Sequence, residues 1–142
     1  MNMKAILSFF LIGFLVTSCY KYEEGPRISL LSRKARICNE WRLGTYLDNG
    51  TDKTNLDETT TLTIEKDGTY SVSTVKSELG QLQSTFSHGT WVFQNGQGQI
   101  IMTGSQTGAT PVTYDILELR NSQLQLRKKV VGIYYTYIYQ GK

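Results

Sequence analysis

Short runs of alternating polar and apolar residues, separated by turn residues, fill the chain after Trp41. The runs are rich in Thr, Tyr, Val and Ile, the residue types that fit a pleated and half-buried strand. The stretch 66–68 (KDG) and the pair Asn95-Gly96 each join two runs, and glycine supplies the positive φ that a tight hairpin needs. Because strands joined by short hairpins pair antiparallel, and no helical run separates them, the sequence predicts an antiparallel β-meander.

Nine segments have the length and alternation of strands, at residues 42–48, 60–66, 69–76, 81–87, 90–94, 99–103, 112–120, 123–129 and 133–140. If two of these segments form one bent strand, the number of strands is eight. Eight antiparallel strands close readily into a barrel that leaves no free edge. The predicted fold class is therefore all-β, an eight-stranded antiparallel up-and-down barrel over residues 30–142.

One short helix is predicted before the barrel, at residues 29–39 (SLLSRKARICN). Leu31, Ala35 and Cys38 recur at helical spacing in this segment. Ser29 or Ser32 is placed to cap the N-terminus of the helix.

Alternation along the strands predicts which side chains face the barrel interior. The expected inward pairs are Leu62 with Ile64, Tyr70 with Val72, Trp91 with Phe93, Leu117 with Leu119, and Leu124 with Leu126. The last strand (IYYTYIYQ) leaves two alternatives, because tyrosines stand on both of its faces. Either Tyr135, Tyr137 and Tyr139 face inward, or Tyr134, Thr136 and Ile138 do.

The N-terminus has the layout of a secretory signal peptide over residues 1–18, with Lys4 ahead of an apolar run at 5–16. The run is shorter than the roughly 20 apolar residues that span a bilayer, which argues against the alternative of an anchor helix. The stretch 16–19 (VTSC) resembles the lipobox of bacterial lipoproteins. The resemblance implies cleavage before Cys19, acylation of its thiol, and attachment to a membrane through the lipid.

A polar stretch at residues 19–29, interrupted by Gly25-Pro26, reads as an extended tether. Lys21, Glu23 and Glu24 resemble the export signal of surface lipoproteins in the Bacteroidota, where a base and a pair of acids follow the lipidated cysteine. The resemblance implies an outer-membrane protein and favours the cell surface over the alternative, the periplasmic leaflet.

Charge and cysteine content limit the partners and the covalent chemistry. Removal of the signal peptide with Lys4 lowers the formal net charge from +3 to about +2. This charge is too small for a nucleic-acid-binding surface, so we expect no nucleic acid as partner. If Cys19 is acylated, Cys38 has no disulfide partner. We expect Cys38 to be a small buried residue, with a reactive thiol as the alternative.

Several motifs recur in an order that resembles a known family. They are Trp41 at the first strand, LTIEKDGTY at 62–70, GTW at 89–91, ILEL at 116–119 and LQL at 124–126. This order is similar to the lipocalin-like domains of small Bacteroidota lipoproteins. The resemblance implies that Trp41 lies at the closed end of the barrel, under a cation–π contact from Arg127 or Arg120.

No group of residues suggests catalysis. His88 is the only histidine, and no Cys, Asp or Glu stands beside it at metal-ligand spacing. The sequence has no nucleophile-elbow motif and no conspicuous pair of carboxylates. We therefore expect a protein that is not an enzyme and has no cofactor.

Two classes of function remain open. In the first, the barrel binds a small apolar or amphipathic ligand, with Tyr70, Trp91, Phe93 and Tyr137 as the inward candidates. In the second, the barrel is filled with its own side chains, and exposed tyrosines of the last strand contact a protein or glycan partner. A cavity would favour the first class, and an exposed aromatic patch would favour the second.

Overall fold

The computed structural model describes residues 31–142. The predicted signal peptide, the lipid attachment at Cys19, the tether, and the export residues Lys21, Glu23 and Glu24 lie outside the described residues.

The predicted helix is present but shorter than expected. Helix α1 spans Arg33–Ile37, and the Oγ of Ser32 caps it by accepting a hydrogen bond from the Ala35 N–H at 3.1 Å. The helix ends before the predicted residue 39, because Cys38 is extended with φ −75° and ψ 92°. A strand that buries Trp41 begins two residues later.

Nine strands follow the helix, and eight of them form the barrel wall. They are β1 (Glu40–Asp48), β2 (Thr51–Asp52), β3 (Glu58–Ile64), β4 (Thr69–Glu78), β5 (Gln81–Gln94), β6 (Gln99–Gly104), β7 (Val112–Leu119), β8 (Gln123–Val130) and β9 (Ile133–Gly141). The two-residue strand β2 only folds back on the end of β1.

The sheet is antiparallel throughout and closes on itself. Each wall strand pairs with its neighbour in the chain, and β9 pairs back with β1 from Trp41↔Gly141 to Asp48↔Tyr135. The predicted segments 81–87 and 90–94 are the single strand β5, so the prediction of an eight-stranded up-and-down barrel is confirmed.

Gly89 lets β5 continue through the point where the sequence pattern suggested two strands. A Cβ atom on Gly89 would lie 2.0 Å from the backbone oxygen of Thr103 on β6. Only a residue without a side chain allows β5 and β6 to approach this closely.

The antiparallel order places the connections at two ends of the barrel. The turns at 65–68, 95–98 and 120–122 share one end with α1, which we call the closed end. The loops at 49–57 and 105–111 share the other end with the β4–β5 and β8–β9 hairpin turns, and we call this the open end. The core consists of buried side chains from the barrel wall and from α1, namely Ile37, Trp41, Leu62, Ile64, Trp91, Ile100, Met102, Leu119, Leu124, Leu126 and Tyr139.

The inward pairs predicted from alternation are confirmed for Leu62 with Ile64 and for Leu124 with Leu126, which are all buried. The prediction for Leu117 is wrong, since this side chain is 45% exposed. The cause is a register shift between Ile116 and Glu118, where β7 has one residue more than β8. Such a bulge interrupts the alternation, so Ile116 packs against the core in place of Leu117.

Trp41 lies at the closed end as predicted, but its expected cation–π partner is wrong. Its side chain is fully buried, and its Nε1–H donates a 2.8 Å hydrogen bond to the carbonyl oxygen of Ile37 in α1. The guanidinium of Arg127 lies 5.0 Å from the ring centroid of Tyr134 instead. Arg120 forms an exposed ion pair with Glu118. Arg127 cannot reach the core because its neighbour Leu126 takes the inward face of β8.

Candidate functional site

A cavity of about 220 Å³ lies among inward-facing side chains of the barrel. It is lined by Leu62, Tyr70, Val72, Ser87, Met102, Gly104, Thr110, Val112, Tyr114, Leu126 and Tyr139. The lining comes from seven strands of the wall and from the loop at 105–111, so the cavity lies on the open-end side of the core.

Strand register explains why these residues meet. Leu62 on β3 is directly opposite Val72 on β4, and Met102 on β6 is opposite Val112 on β7. Residues opposite each other in an antiparallel pair point to the same face of the sheet. The aliphatic walls of the cavity are thus fixed by the register of two hairpins.

Three tyrosines, together with Ser87 and Thr110, give the cavity a polar part beside its aliphatic side chains. Tyr70, Tyr114 and Tyr139 line it, and none of their hydroxyls forms a hydrogen bond with another residue within 31–142. Burial raises the pKa of all three phenols, so they stay protonated at neutral pH. Since a buried phenol usually has a hydrogen-bond partner, these hydroxyls are available to polar groups of a ligand.

The structure separates the four residues predicted to bind a ligand. Tyr70 lines the cavity, whereas Trp91, Phe93 and Tyr137 are not among its lining residues. The Trp91 and Phe93 rings pack edge to face at 5.2 Å, and the Trp91 Nε1–H donates to the carbonyl oxygen of Glu65 at the closed end. These two side chains therefore serve the core.

Sequence reasoning missed Tyr114 and Tyr139 as lining residues. Tyr139 stands on one of the two faces of the last strand that the pattern left open. The structure selects this face, because Tyr139 is buried and Tyr137 packs against the core. Tyr114 is opposite the buried Ile100 of β6, so only the strand pairing identifies its inward direction.

Next to the cavity lie three tyrosine rings and one ammonium group, which we call the mouth cluster. It consists of Tyr46, Tyr135, Tyr137 and Lys128. The Tyr46 ring lies 5.2 Å from Tyr137 and 6.3 Å from Tyr135. The Nζ of Lys128 lies 5.5 Å from the Tyr135 centroid and 5.7 Å from the Tyr137 centroid. The Tyr137 ring also lies 6.1 Å from the cavity residue Tyr114, so the mouth cluster borders the cavity wall.

The side chains with the most reactive chemistry lie elsewhere. His88 is exposed, and its ring stacks on Phe86 at 5.8 Å. Cys38 is half-buried rather than fully buried and packs against the core. Burial raises the pKa of the Cys38 thiol, which lowers its reactivity as a nucleophile. In the part of the chain that the structure describes, no three His, Cys, Asp or Glu side chains gather as metal ligands would.

Among residues 31–142, no helix has both the length and the apolar character needed to cross a membrane.

The closed sheet and its cavity define a class, the small up-and-down β-barrels with an interior of ligand size, an architecture that the lipocalins also have. The lipocalin-like fold inferred from the motifs is therefore confirmed as a fold. Membership of the Bacteroidota lipoproteins stays a prediction.

No family model matches the chain, and no curated protein matches its sequence. Among solved structures, the chain is similar to bovine odorant-binding protein in complex with undecanal, with 13% identity over 84% of this chain and 77% of that chain and a TM-score of 0.46. The same bovine protein in complex with a selenium-containing odorant gives 12% identity over 73% and 72%, with a TM-score of 0.46. The assignment of the barrel rests on the strand pairing above and not on these similarities.

Proposed function

We propose that this protein binds a small apolar or amphipathic molecule inside its barrel and does not act as an enzyme. The observation that carries the proposal is the cavity of about 220 Å³, with aliphatic side chains and three phenols that have no hydrogen-bond partner in the described part of the chain. An apolar cavity of about 150 Å³ in another protein holds benzene, so this one suits a molecule of roughly ten non-hydrogen atoms. Larger ligands need pockets of about 300 Å³ or more.

The test measures binding of 1-octanol, a probe of suitable size with one hydroxyl group, to the full chain by isothermal titration calorimetry. We expect saturable binding, because the octyl chain would leave water and its hydroxyl could pair with a phenol. Native mass spectrometry of the purified protein should also detect a co-purifying small molecule. A protein of bare mass that gives no heat with 1-octanol would contradict the proposal.

A second function is favoured by the open end, where aliphatic side chains are fully exposed. Leu79 in the β4–β5 turn is 101% exposed, and Val131 in the β8–β9 turn is 98% exposed. Both residues have a positive φ, 51° for Leu79 and 48° for Val131, in a region that glycine and asparagine usually occupy. This conformation is strained for Val131, whose side chain is β-branched. Apolar side chains that are exposed and held at an unfavourable φ suit a surface that contacts a protein or glycan partner.

The same native mass measurement separates the two functions. A small co-purifying mass supports ligand binding, and a co-purifying macromolecule supports the interaction surface. Of the tyrosines of β9 that were expected to form this surface, Tyr134 faces outward and is 37% exposed, whereas Tyr139 is buried. The hairpin turns therefore contribute more to an exposed apolar surface than the last strand does.

We further propose that the barrel is held at the outer membrane, on the cell surface, by acylation of Cys19 with Lys21, Glu23 and Glu24 as export signal. The support is the resemblance of residues 16–24 to lipoprotein signals. Replacing Cys19 by alanine should move the protein from the membrane fraction to the soluble fraction, because no acyl chain can then form. In intact cells, external protease should digest the wild-type barrel. If only permeabilised cells lose it, display on the surface is wrong.

A further inference from the structure

Strand β8 carries three consecutive cations, and the pleat sends them in different directions. Arg127 and Lys129 point outward, where both approach the Tyr134 ring, at 5.0 and 5.2 Å from its centroid. Lys128 points into the barrel, because it shares a face with the buried Leu124 and Leu126.

Lys128 differs from its neighbour Arg127 in having no acidic partner within the described barrel. Arg127 Nη2 lies 3.3 Å from an oxygen of Asp115, whereas Lys128 forms no ion pair or hydrogen bond with any described residue. Asp48 is the acid that faces the same ring, since β1 places it opposite Tyr135. It stands two strand spacings from Lys128, about 9–10 Å between Cα atoms, and makes no ion pair with it.

The ammonium therefore keeps three N–H donors without an acceptor among residues 31–142, beside the rings of Tyr135 and Tyr137. The rings of Tyr135 and Tyr137 limit access of water on one side, which strengthens the attraction of Lys128 for an anion. The charge is also felt at the cavity wall. Burial raises the pKa of the Tyr114 hydroxyl, and the nearby positive charge of Lys128 opposes this rise.

We infer that the ligand of this barrel is an amphipathic anion whose carboxylate binds Lys128 and whose apolar part fills the cavity. The inference rests on the proposed binding function and adds the charge of the ligand to it. Leu62, Val72 and Met102 supply the apolar contacts. The position of Lys128 beside Tyr137 and Tyr114 puts the cation at the edge of the cavity, where a terminal carboxylate would remain partly hydrated.

The test compares octanoate with 1-octanol, two probes with the same carbon chain and different head groups, on the full chain at neutral pH. Wild-type protein should bind octanoate about tenfold more tightly than 1-octanol, the usual advantage of a charge-assisted hydrogen bond. Lys128→Met keeps the apolar stem and removes the charge, so it should lower the affinity for octanoate about tenfold and abolish this preference.

Lys129→Met is the matched control, because it removes the same charge from the next residue on the outer face. It should leave both affinities unchanged. Lys128→Arg should retain the preference for octanoate, which separates loss of charge from loss of fold if the methionine variant unfolds.

The outcomes distinguish the inference from the function on which it rests. If wild-type protein binds the two probes equally, or if Lys129→Met lowers octanoate affinity as much as Lys128→Met, the role of Lys128 is wrong and the cavity remains a binding site. If neither probe binds wild-type protein, the ligand-binding function and the inference both fail.

Discussion

Replacing Trp41 by alanine is expected to lower the free energy of unfolding by about 3–5 kcal/mol, the usual cost of removing a fully buried tryptophan. The side chain is 0% exposed and packs in the core at the closed end. Its indole also donates to the carbonyl oxygen of Ile37 at 2.8 Å, so the substitution removes one of the hydrogen bonds that tie α1 to the barrel. Urea denaturation of the full chain, followed by circular dichroism, measures the change.

One further variant shows which part of Trp41 is responsible, and a second serves as the surface control. Trp41→Phe keeps most of the ring and removes the N–H. It should lower the free energy of unfolding by about 1–3 kcal/mol, because the buried carbonyl oxygen of Ile37 then lacks a donor. Phe86→Ala removes an aromatic side chain that is 69% exposed, and its effect should stay within about 0.5 kcal/mol. If Trp41→Ala costs no more than Phe86→Ala, the closed end does not depend on this residue.

The barrel itself was predictable because its strands carry local signals. Threonine-rich and tyrosine-rich runs alternate with period two, and turn residues such as those at 66–68 and 95–96 mark the hairpins. Both kinds of signal lie within a few residues of the structure that they specify. Closure of β9 on β1 then follows from strand number, since a barrel removes the last free edges.

The details that the sequence could not supply depend on contacts between distant strands. The bulge that turns Leu117 outward is visible only in the register of β7 against β8. The direction of Arg127 depends on which face of β8 is buried. The resemblance to the lipocalin-like domains instead implied that Arg127 or Arg120 contacts the ring of Trp41. The cavity depends on the space that side chains from seven strands leave unfilled, a quantity that no single stretch of sequence encodes.

The same reasoning explains the mixed outcome for the ligand candidates. Large inward aromatic residues were the natural candidates, yet Trp91 and Phe93 fill the core together. The cavity lies instead where β4 and β6 present smaller side chains, at Val72 and Gly104. In this eight-stranded barrel the cavity is the space beside the bulkiest side chains, and the phenols of Tyr114 and Tyr139 reach it from β7 and β9.

Replacing Val72 by tryptophan is expected to weaken binding of 1-octanol by roughly a hundredfold. Val72 lines the cavity directly opposite Leu62, so an indole at this position would occupy space that the octyl chain needs. Displacing about four methylene groups at about 0.8 kcal/mol each forfeits about 3 kcal/mol of binding free energy, which is close to two factors of ten. Titration calorimetry on the full chain measures the loss.

Val75→Trp is the matched control, since Val75 lies on the same strand but is 36% exposed and is not a lining residue. This variant should bind 1-octanol within about twofold of wild type, because a surface substitution leaves the interior unchanged. Thermal melts of both variants show whether either has lost the fold. A folded Val72→Trp protein that still binds 1-octanol like wild type would place the ligand outside the barrel. The hairpin turns at Leu79 and Val131 would then be the site to examine, because both turns expose an aliphatic side chain almost completely at the open end.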